Sequence, residues 1–162
     1  MYASNRYYYS YDYGPVHFTI IDQFADYSKG SKQYNWIKHD LENSVKKWKI
    51  LLLHMPGWSA GGHSNNSDVQ SLIQPLCVNN NVQMVIAGHN HYYARAVVDT
   101  VQHITSGGGG APLYHPNSNA DNIIKTDKSY HFLKIDINEN IMHVSVIRSD
   151  GSIVETFNVN VN

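Results

Sequence analysis

The feature that most constrains the fold of this chain is a series of short apolar runs separated by amphipathic segments. Three runs, Val16 to Asp22, Ile50 to Leu53 and Val82 to Ala87, have the length and the apolar or β-branched content of buried strands. The segments between them have helical spacing. This order predicts an α/β fold in which parallel strands are joined by right-handed crossovers.

The two predicted helices bury one face each. The first is expected to begin at Ser31, and the second has Asn66 or Ser67 as its N-cap. The apolar positions that share the buried face are Trp36, Ile37, Leu41, Val45 and Trp48 in the first helix, and Val69, Leu72, Ile73 and Leu76 in the second. Both helices are therefore expected to pack on the sheet.

The rest of the chain predicts antiparallel β structure. Tyr7 to Tyr13 has tyrosine at alternate positions, and Gly14-Pro15 separates it from the next strand, which predicts a hairpin. Val97 to Ser106 predicts further β structure, and Ala111 to Lys128 predicts a polar loop. Three antiparallel strands are expected at the end: Tyr130 to Ile137, Ile141 to Ile147 and Ile153 to Val161. Because no linker divides the chain, residues 1–162 are expected to form a single domain.

Charge and cysteine content exclude several classes of function. The 162 residues include 12 basic and 13 acidic side chains, so the chain lacks the basic field that nucleic-acid binding uses. Cys77 is the one cysteine, which excludes an internal disulfide and a thiolate zinc site. No apolar run approaches the roughly 18 residues of a membrane span. We therefore expect neither a nucleic-acid nor a membrane partner, and any metal must be held by histidine and oxygen ligands.

Three of the ten histidines follow predicted strands directly. They are His54, His89 and His91, and the carboxyl ends of parallel strands are where α/β proteins bind ligands. Because His89 and His91 are two residues apart, an extended backbone would project both to the same side. His63, in a glycine-rich loop, is either a solvated residue or a group that touches substrate. The other histidines are interpreted as structural: His17, His39, His103, His115, His131 and His143.

Gly107 to Gly110 is a second feature that could mark a site. It lacks the Lys and Ser/Thr that follow the glycines of a P-loop, and Ala111-Pro112 does not open a helix with free amides. We interpret the glycines as a flexible or tightly turned loop beside the histidines.

Several stretches resemble a known family. Ile50-Leu51-Leu52-Leu53-His54-Met55-Pro56 and Ala87-Gly88-His89-Asn90-His91-Tyr92-Tyr93-Ala94-Arg95 are similar to the last two motif blocks of the calcineurin-like metallophosphoesterases. Within that superfamily the chain resembles the purple acid phosphatases, also over Tyr8 to Phe18, Gln33 to Leu41 and Thr105 to Tyr114. The implied fold is the C-terminal half of the metallophosphoesterase layered β-sandwich, flanked by helices and ending in an antiparallel meander.

The resemblance also implies a function and roles for four residues. Family members hydrolyse phosphate monoesters with two metal ions, commonly iron with zinc, manganese or a second iron. By this resemblance His54 and His89 are ligands of the second metal, and His91 is a ligand of the first. His63 matches a loop histidine that contacts the substrate phosphate and helps protonate the leaving group.

The resemblance also indicates what this sequence lacks. The family places Asp-x-Gly or Asp-x-His, Gly-Asp and Gly-Asn-His blocks before the motifs above, and none of them precedes His54 here. Asp12-Tyr13-Gly14 fits the first block by letters, but it lies in the aromatic hairpin that the family places after all three, so it is rejected as a ligand. We expect a chain that holds at most one weakly bound metal and is inactive alone, its missing ligands coming from an N-terminal half in the same or another chain.

The alternative function is a non-enzymatic β-rich binding module, in which the tyrosines and the final three strands form the surface and the histidines are incidental. The compartment is not indicated by the residues themselves, although exported relatives suggest an extracytoplasmic location.

Overall fold

The computed structural model describes residues 7–161, which form three layers. A seven-stranded sheet lies between two helices on one face and a three-stranded sheet on the other. The strands are β1 (Tyr9–Tyr13), β2 (Val16–Ile20), β3 (Trp48–Leu52), β4 (Met84–Ala87), β5 (Tyr93–Val98), β6 (Val101–Ser106), β7 (Ile123–Asp127), β8 (His131–Asn138), β9 (Ile141–Arg148) and β10 (Ile153–Asn160). The helices are α1 (Lys32–Asn43) and α2 (Gln74–Asn79), the latter continuing a π-helical segment, Val69–Ile73.

The large sheet has the order β1-β2-β3-β4-β6-β5-β7. Strands β2, β3, β4 and β6 are parallel neighbours, as the alternation of strands and helices predicts. On the helical face, Ile37 and Leu41 of α1 pack with Val69 and Ile73 against Leu51. Ser31 begins α1 by accepting a hydrogen bond from the Tyr34 amide, and Asn66 begins the second helical segment by accepting from the amides of Asp68 and Val69.

Strands β8, β9 and β10 form the predicted antiparallel meander, which covers the other face of the large sheet. Met142, Val144 and Val146 of β9 are fully buried against Trp48 and neighbouring residues. The Trp48 indole donates to the Glu139 carbonyl oxygen at 3.1 Å, which joins the two sheets. The fold expected from the resemblance is therefore confirmed.

Two local predictions were wrong, the extent of the first helix and the loop Ala111 to Lys128, and two others were correct in type but less detailed than the structure. Helix α1 ends at Asn43, so Val45 is 96% exposed and Trp48 belongs to β3 instead of the helix. The β region around Val97 to Ser106 is a hairpin of two strands, β5 and β6. The predicted loop Ala111 to Lys128 contains β7, which pairs with β5 at the sheet edge. The helical segment that begins after Asn66 is π-helical from Val69 to Ile73.

No helix within residues 7–161 is long and apolar enough to cross a membrane.

The buried His103, on β6, should make the folded state less stable in acid. It is 6% exposed, its Nε2 donates to Gln74 Oε1 at 2.8 Å, and burial lowers its pKa from 6.5 to about 3. Between these values the unfolded chain binds a proton that the folded chain does not. The contribution of His103 to the free energy of unfolding is therefore largest above pH 6.5. It decreases as the pH drops from 6.5 to about 3, by at most about 1.4 kcal/mol per pH unit.

We expect the urea concentration at the midpoint of unfolding to be lower at pH 5 than at pH 7. His103→Gln keeps a polar side chain at this position and removes the titration, so its midpoint should depend less on pH over the same range. An identical pH dependence in both proteins would contradict this assignment of the acid sensitivity.

Candidate metal and phosphate site

His54 and His89 meet at the carboxyl edge of the large sheet. They follow β3 and β4, which are adjacent and parallel, and the amide of Gly88 donates to the His54 carbonyl oxygen at 3.0 Å. His54 Nε2 lies 3.0 Å from His89 Nδ1, and the two rings are roughly perpendicular at 70°. The strand topology therefore brings together the two histidines that the sequence placed at strand ends, with one nitrogen of each ring facing the other.

The chain turns sharply between His89 and His91. His89 has φ +64°, and the amide of Asn90 donates to the Gly88 carbonyl oxygen at 2.7 Å. The expectation that an extended backbone would project His89 and His91 to the same side was therefore wrong. Left-handed geometry at His89 is uncommon for a side chain of this size, and it turns the His89 ring toward His54.

Gly107 allows this turn to pack closely. A Cβ atom at Gly107 would lie 1.9 Å from the Asn90 carbonyl oxygen and 3.2 Å from the His91 Cα. At Gly108 a Cβ would lie 2.3 Å from His131 Nδ1. Of the two interpretations of the glycine run, the tightly turned loop therefore describes its first half, where the backbone is packed against the turn that carries the histidines.

His91 is oriented by the segment that follows the glycines. Its Nδ1 lies 2.9 Å from the Pro112 carbonyl oxygen, and its ring stacks on Tyr114 with centroids 4.4 Å apart. The Tyr114 amide donates to the His91 carbonyl oxygen at 3.0 Å. His91 is half-buried, and neither Pro112 nor Tyr114 was among the predicted site residues.

The loop after β3 brings His63 to the same place. The His63 ring centroid is 4.1 Å from that of His89, and the His63 amide donates to Asn90 Oδ1 at 3.0 Å. Asn90 is fully buried and also donates to Ser59 Oγ at 3.0 Å. The buried Tyr92 hydroxyl accepts from the Ala60 amide at 2.9 Å, which anchors the same loop. His63 thus lies beside the His54–His89 pair with its own side chain exposed.

The surroundings of His89 disfavour its protonated form. Burial lowers its pKa below 6.5, and the nearby imidazoles of His63, His54 and His91 lower it further. Since a histidine must be neutral to bind a metal, this environment favours the ligand form of His89.

Sequence reasoning missed Gln23, which supports His54 from β2. Gln23 is 8% exposed, and its Oε1 accepts from the His54 amide at 2.8 Å while its Nε2 donates to the Met55 carbonyl oxygen at 3.1 Å. Phe24, 82% exposed, lies with its ring centroid 5.9 Å from that of His54. Their position in the sequence was the one signal that could have indicated this role, because both residues follow β2, the parallel neighbour of the strand β3 that precedes His54.

The remaining histidines lie outside this group and have their own partners. His17 Nδ1 lies 2.7 Å from Asp12 Oδ1, and its Nε2 lies 3.0 Å from Asp40 Oδ2. Asp12 is thereby engaged beside the turn of the hairpin, at the amino-terminal end of β2 and away from the carboxyl edge of the sheet. The other histidine partners are Asn43 for His39, Gln74 for His103, Lys128 for His115, Ser129 for His131 and Asn158 for His143.

Within residues 7–161, no set of three or more His, Cys, Asp and Glu side chains is arranged to hold a metal ion. The described site is therefore a histidine pair with two further histidines beside it, and it lacks the carboxylates that would complete a metal shell.

Comparisons with known proteins give a consistent result. The calcineurin-like phosphoesterase family matches residues 3–93 of this chain. Two similar relatives, both from Arabidopsis thaliana, are a probable inactive purple acid phosphatase 9, 35% identical over 57% of this chain, and purple acid phosphatase 23, 29% identical over 79% of it. A solved purple acid phosphatase from yellow lupin seeds (Lupinus luteus) superposes on 98% of this chain with a TM-score of 0.84 and 25% identity.

These matches cover only part of the related proteins. The chain spans 15% and 28% of the two Arabidopsis relatives and 34% of the lupin structure.

Proposed function

This chain belongs to the calcineurin-like phosphoesterase family, and we propose that it supplies the histidine side of a two-metal centre that hydrolyses phosphate monoesters. The observation that carries the proposal is the 3.0 Å separation of His54 Nε2 and His89 Nδ1 at the carboxyl edge of the sheet. The related proteins named as purple acid phosphatases support the phosphate ester as substrate.

The histidine pair fits a transition metal by its chemistry. Two nitrogens bound to one zinc ion at about 2.0–2.1 Å lie about 3.3–3.4 Å apart in the tetrahedral geometry of zinc. The observed separation is 3.0 Å, so the pair needs to open by only a few tenths of an ångström. Imidazole suits zinc and iron, and the lowered pKa of His89 favours its neutral form. We assign His54 and His89 to one metal, with zinc, iron or manganese as the candidate ions.

The other two histidines have separate roles in the proposal. Because its Nδ1 contacts the Pro112 carbonyl oxygen, His91 presents Nε2 as the nitrogen that can bind the other metal. His63 lies beside His89 and is exposed, so it can contact the substrate phosphate and donate a proton to the leaving oxygen. Bound metal ions would supply an activated water and neutralise charge on the phosphate.

Carboxylate ligands must come from elsewhere, in the same or another chain. Two dications held by three histidines alone would repel each other strongly in a cleft of low dielectric constant. The lupin structure, of which this chain spans 34%, supports a further part of the domain. Strand β8 offers a place for this further part, because β8 is an edge strand of the small sheet. The side chains of β8 that face the large sheet are only half-buried, and they are Leu133, Ile135 and Ile137.

The isolated chain tests whether the carboxylate ligands come from a further segment. We expect it to retain at most one weakly bound ion per molecule after dialysis against a zinc buffer and to show negligible turnover of a chromogenic phosphate monoester. The reason is that the carboxylates needed to hold the second ion are absent from residues 7–161 around the pair. A stoichiometric two-metal centre with ordinary turnover would refute the proposal that a further segment completes the site.

A further inference from the structure

Tyr114 contacts two of the site histidines. Its ring lies nearly parallel to that of His91, at 26° and 4.4 Å between centroids, and 6.0 Å from that of His63. On its other side Tyr114 packs against a small buried cluster of Ala60, Tyr92 and Ala94. One half-buried aromatic side chain therefore joins His91 to the buried anchor of the His63 loop.

The segment around Tyr114 also selects the tautomer of His91. The Pro112 carbonyl oxygen, 2.9 Å from His91 Nδ1, can only accept a hydrogen bond. Neutral His91 therefore carries its proton on Nδ1 and keeps the lone pair on Nε2. The Tyr114 amide, which donates to the His91 carbonyl oxygen, ties the two backbones together at the same point. The stack restricts rotation of the ring, and the hydrogen bond fixes which nitrogen is free.

The Tyr114 ring also supports the loop that carries His63, through its contact with Gly62. A Cβ atom at Gly62 would lie 2.8 Å from Tyr114 Cδ2 and 3.2 Å from Asn90 Oδ1. Gly62 has φ +83°, so the loop backbone lies directly on the tyrosine ring in a conformation that favours glycine. His63 is the next residue, and its position depends on this contact.

We propose that Tyr114 is a positioning residue, which holds His91 in its Nδ1–H tautomer with Nε2 free and seats the loop that carries His63. This inference rests on the proposed function for the roles of the two histidines. The tautomer and the loop contact are properties of the chain without metal, so they can be measured separately from activity.

The test compares Tyr114→Leu with Tyr114→Phe by histidine nitrogen NMR of the metal-free chain at pH 8, above the ordinary histidine pKa. We expect wild type and Tyr114→Phe, which keep the aromatic ring, to show a protonated Nδ1 and an unprotonated Nε2 at His91. In Tyr114→Leu the two nitrogen signals should move toward each other as the tautomers mix. Hydrogen exchange of the His63 amide should also become at least tenfold faster. Tyr13→Leu, at a tyrosine that is 77% exposed on β1, serves as the control.

An unchanged His91 tautomer and unchanged exchange in a folded Tyr114→Leu chain would overturn the inference. If that variant does not fold, the wild-type spectrum still decides, because an Nε2–H tautomer of His91 would contradict the assignment directly. Added Zn²⁺ then separates the two claims. We expect it to shift His54 Nε2 and His89 Nδ1 in wild type, where the proposed function places the one weakly bound ion, whatever the tautomer of His91. Absence of that shift in wild type, with the expected tautomer, would count against the proposed function alone.

Discussion

Replacing Glu155 by alanine is expected to lower the free energy of unfolding by about 3–5 kcal/mol. Glu155 accepts two hydrogen bonds from Arg95, at 3.0 Å and 2.6 Å, and a third from the Tyr93 hydroxyl at 2.7 Å. The side chains of Arg95 and Glu155 are only 14% and 12% exposed. Removing the carboxylate would leave a guanidinium and a phenol between the sheets without their shared acceptor, and the cost of those unpaired groups exceeds that of the lost bonds.

The neighbouring groups strengthen this expectation. Burial and the contact with Glu155 raise the pKa of Tyr93, which keeps its hydroxyl protonated as a donor. Phe157 lies under the guanidinium, with Arg95 Cζ 4.1 Å from its ring centroid. Chemical denaturation provides the measurement, and Asp136→Ala, which breaks the exposed pair with Lys134, is the control expected to change nothing measurable. An equally small effect for Glu155→Ala would mean that the apolar contacts alone hold the two sheets together.

Gly107→Ala should have an effect of similar size and should also disrupt the site. Its Cβ would meet the Asn90 carbonyl oxygen at 1.9 Å, and a backbone atom cannot move aside as a flexible side chain can. We expect a loss of about 3 kcal/mol or more in unfolding free energy, at or above the usual upper limit for overpacking. Because the clash falls between His89 and His91, zinc binding should also weaken in any chain that folds.

Gly109→Ala is the matched control for this substitution. A Cβ at Gly109 meets nothing within 4 Å, so this variant should unfold and bind zinc as the wild type does. Both variants are compared by denaturation and by zinc titration. Equal stability of Gly107→Ala and Gly109→Ala would show that the turn at Asn90 can relax, and the site would then be less rigid than the packing indicates.

The sequence predicted the part of the site that depends on strand order. Parallel strands place their carboxyl ends at one edge, and the structure indeed brings His54 and His89 together. It did not predict the positive φ of His89, because histidine rarely adopts that conformation, although Gly88 directly before it is typical of a tight turn. Pro112 and Tyr114 were missed as site residues for another reason. They belong to a segment without periodicity, and their contacts with His91 depend on tertiary packing.

The details of secondary structure that the sequence did not predict have similar causes. The turn between β5 and β6 uses Asp99 and Thr100 at φ +47° and +73°. Such a turn usually carries Asn-Gly or Asp-Gly, so the sequence gives no hairpin signal here. Strand β7 contains Lys125, Thr126 and Asp127, whose polarity indicates a loop, but an edge strand tolerates polar residues because one side is exposed. The local sequence patterns therefore predicted the central parallel strands better than the strands near the β7 edge of the large sheet.

We propose above that His54 and His89 bind one metal ion together. The most direct test of this proposal is calorimetric titration of Zn²⁺ into the wild-type chain, His54→Ala, His89→Ala and the control His39→Ala, whose exposed histidine lies on α1 beside Asn43. We predict one weakly bound ion in wild type and in the control, and an affinity at least tenfold lower in each of the other two variants. Unchanged affinity in both His54→Ala and His89→Ala would contradict the proposal and would favour a binding module in which these histidines are incidental.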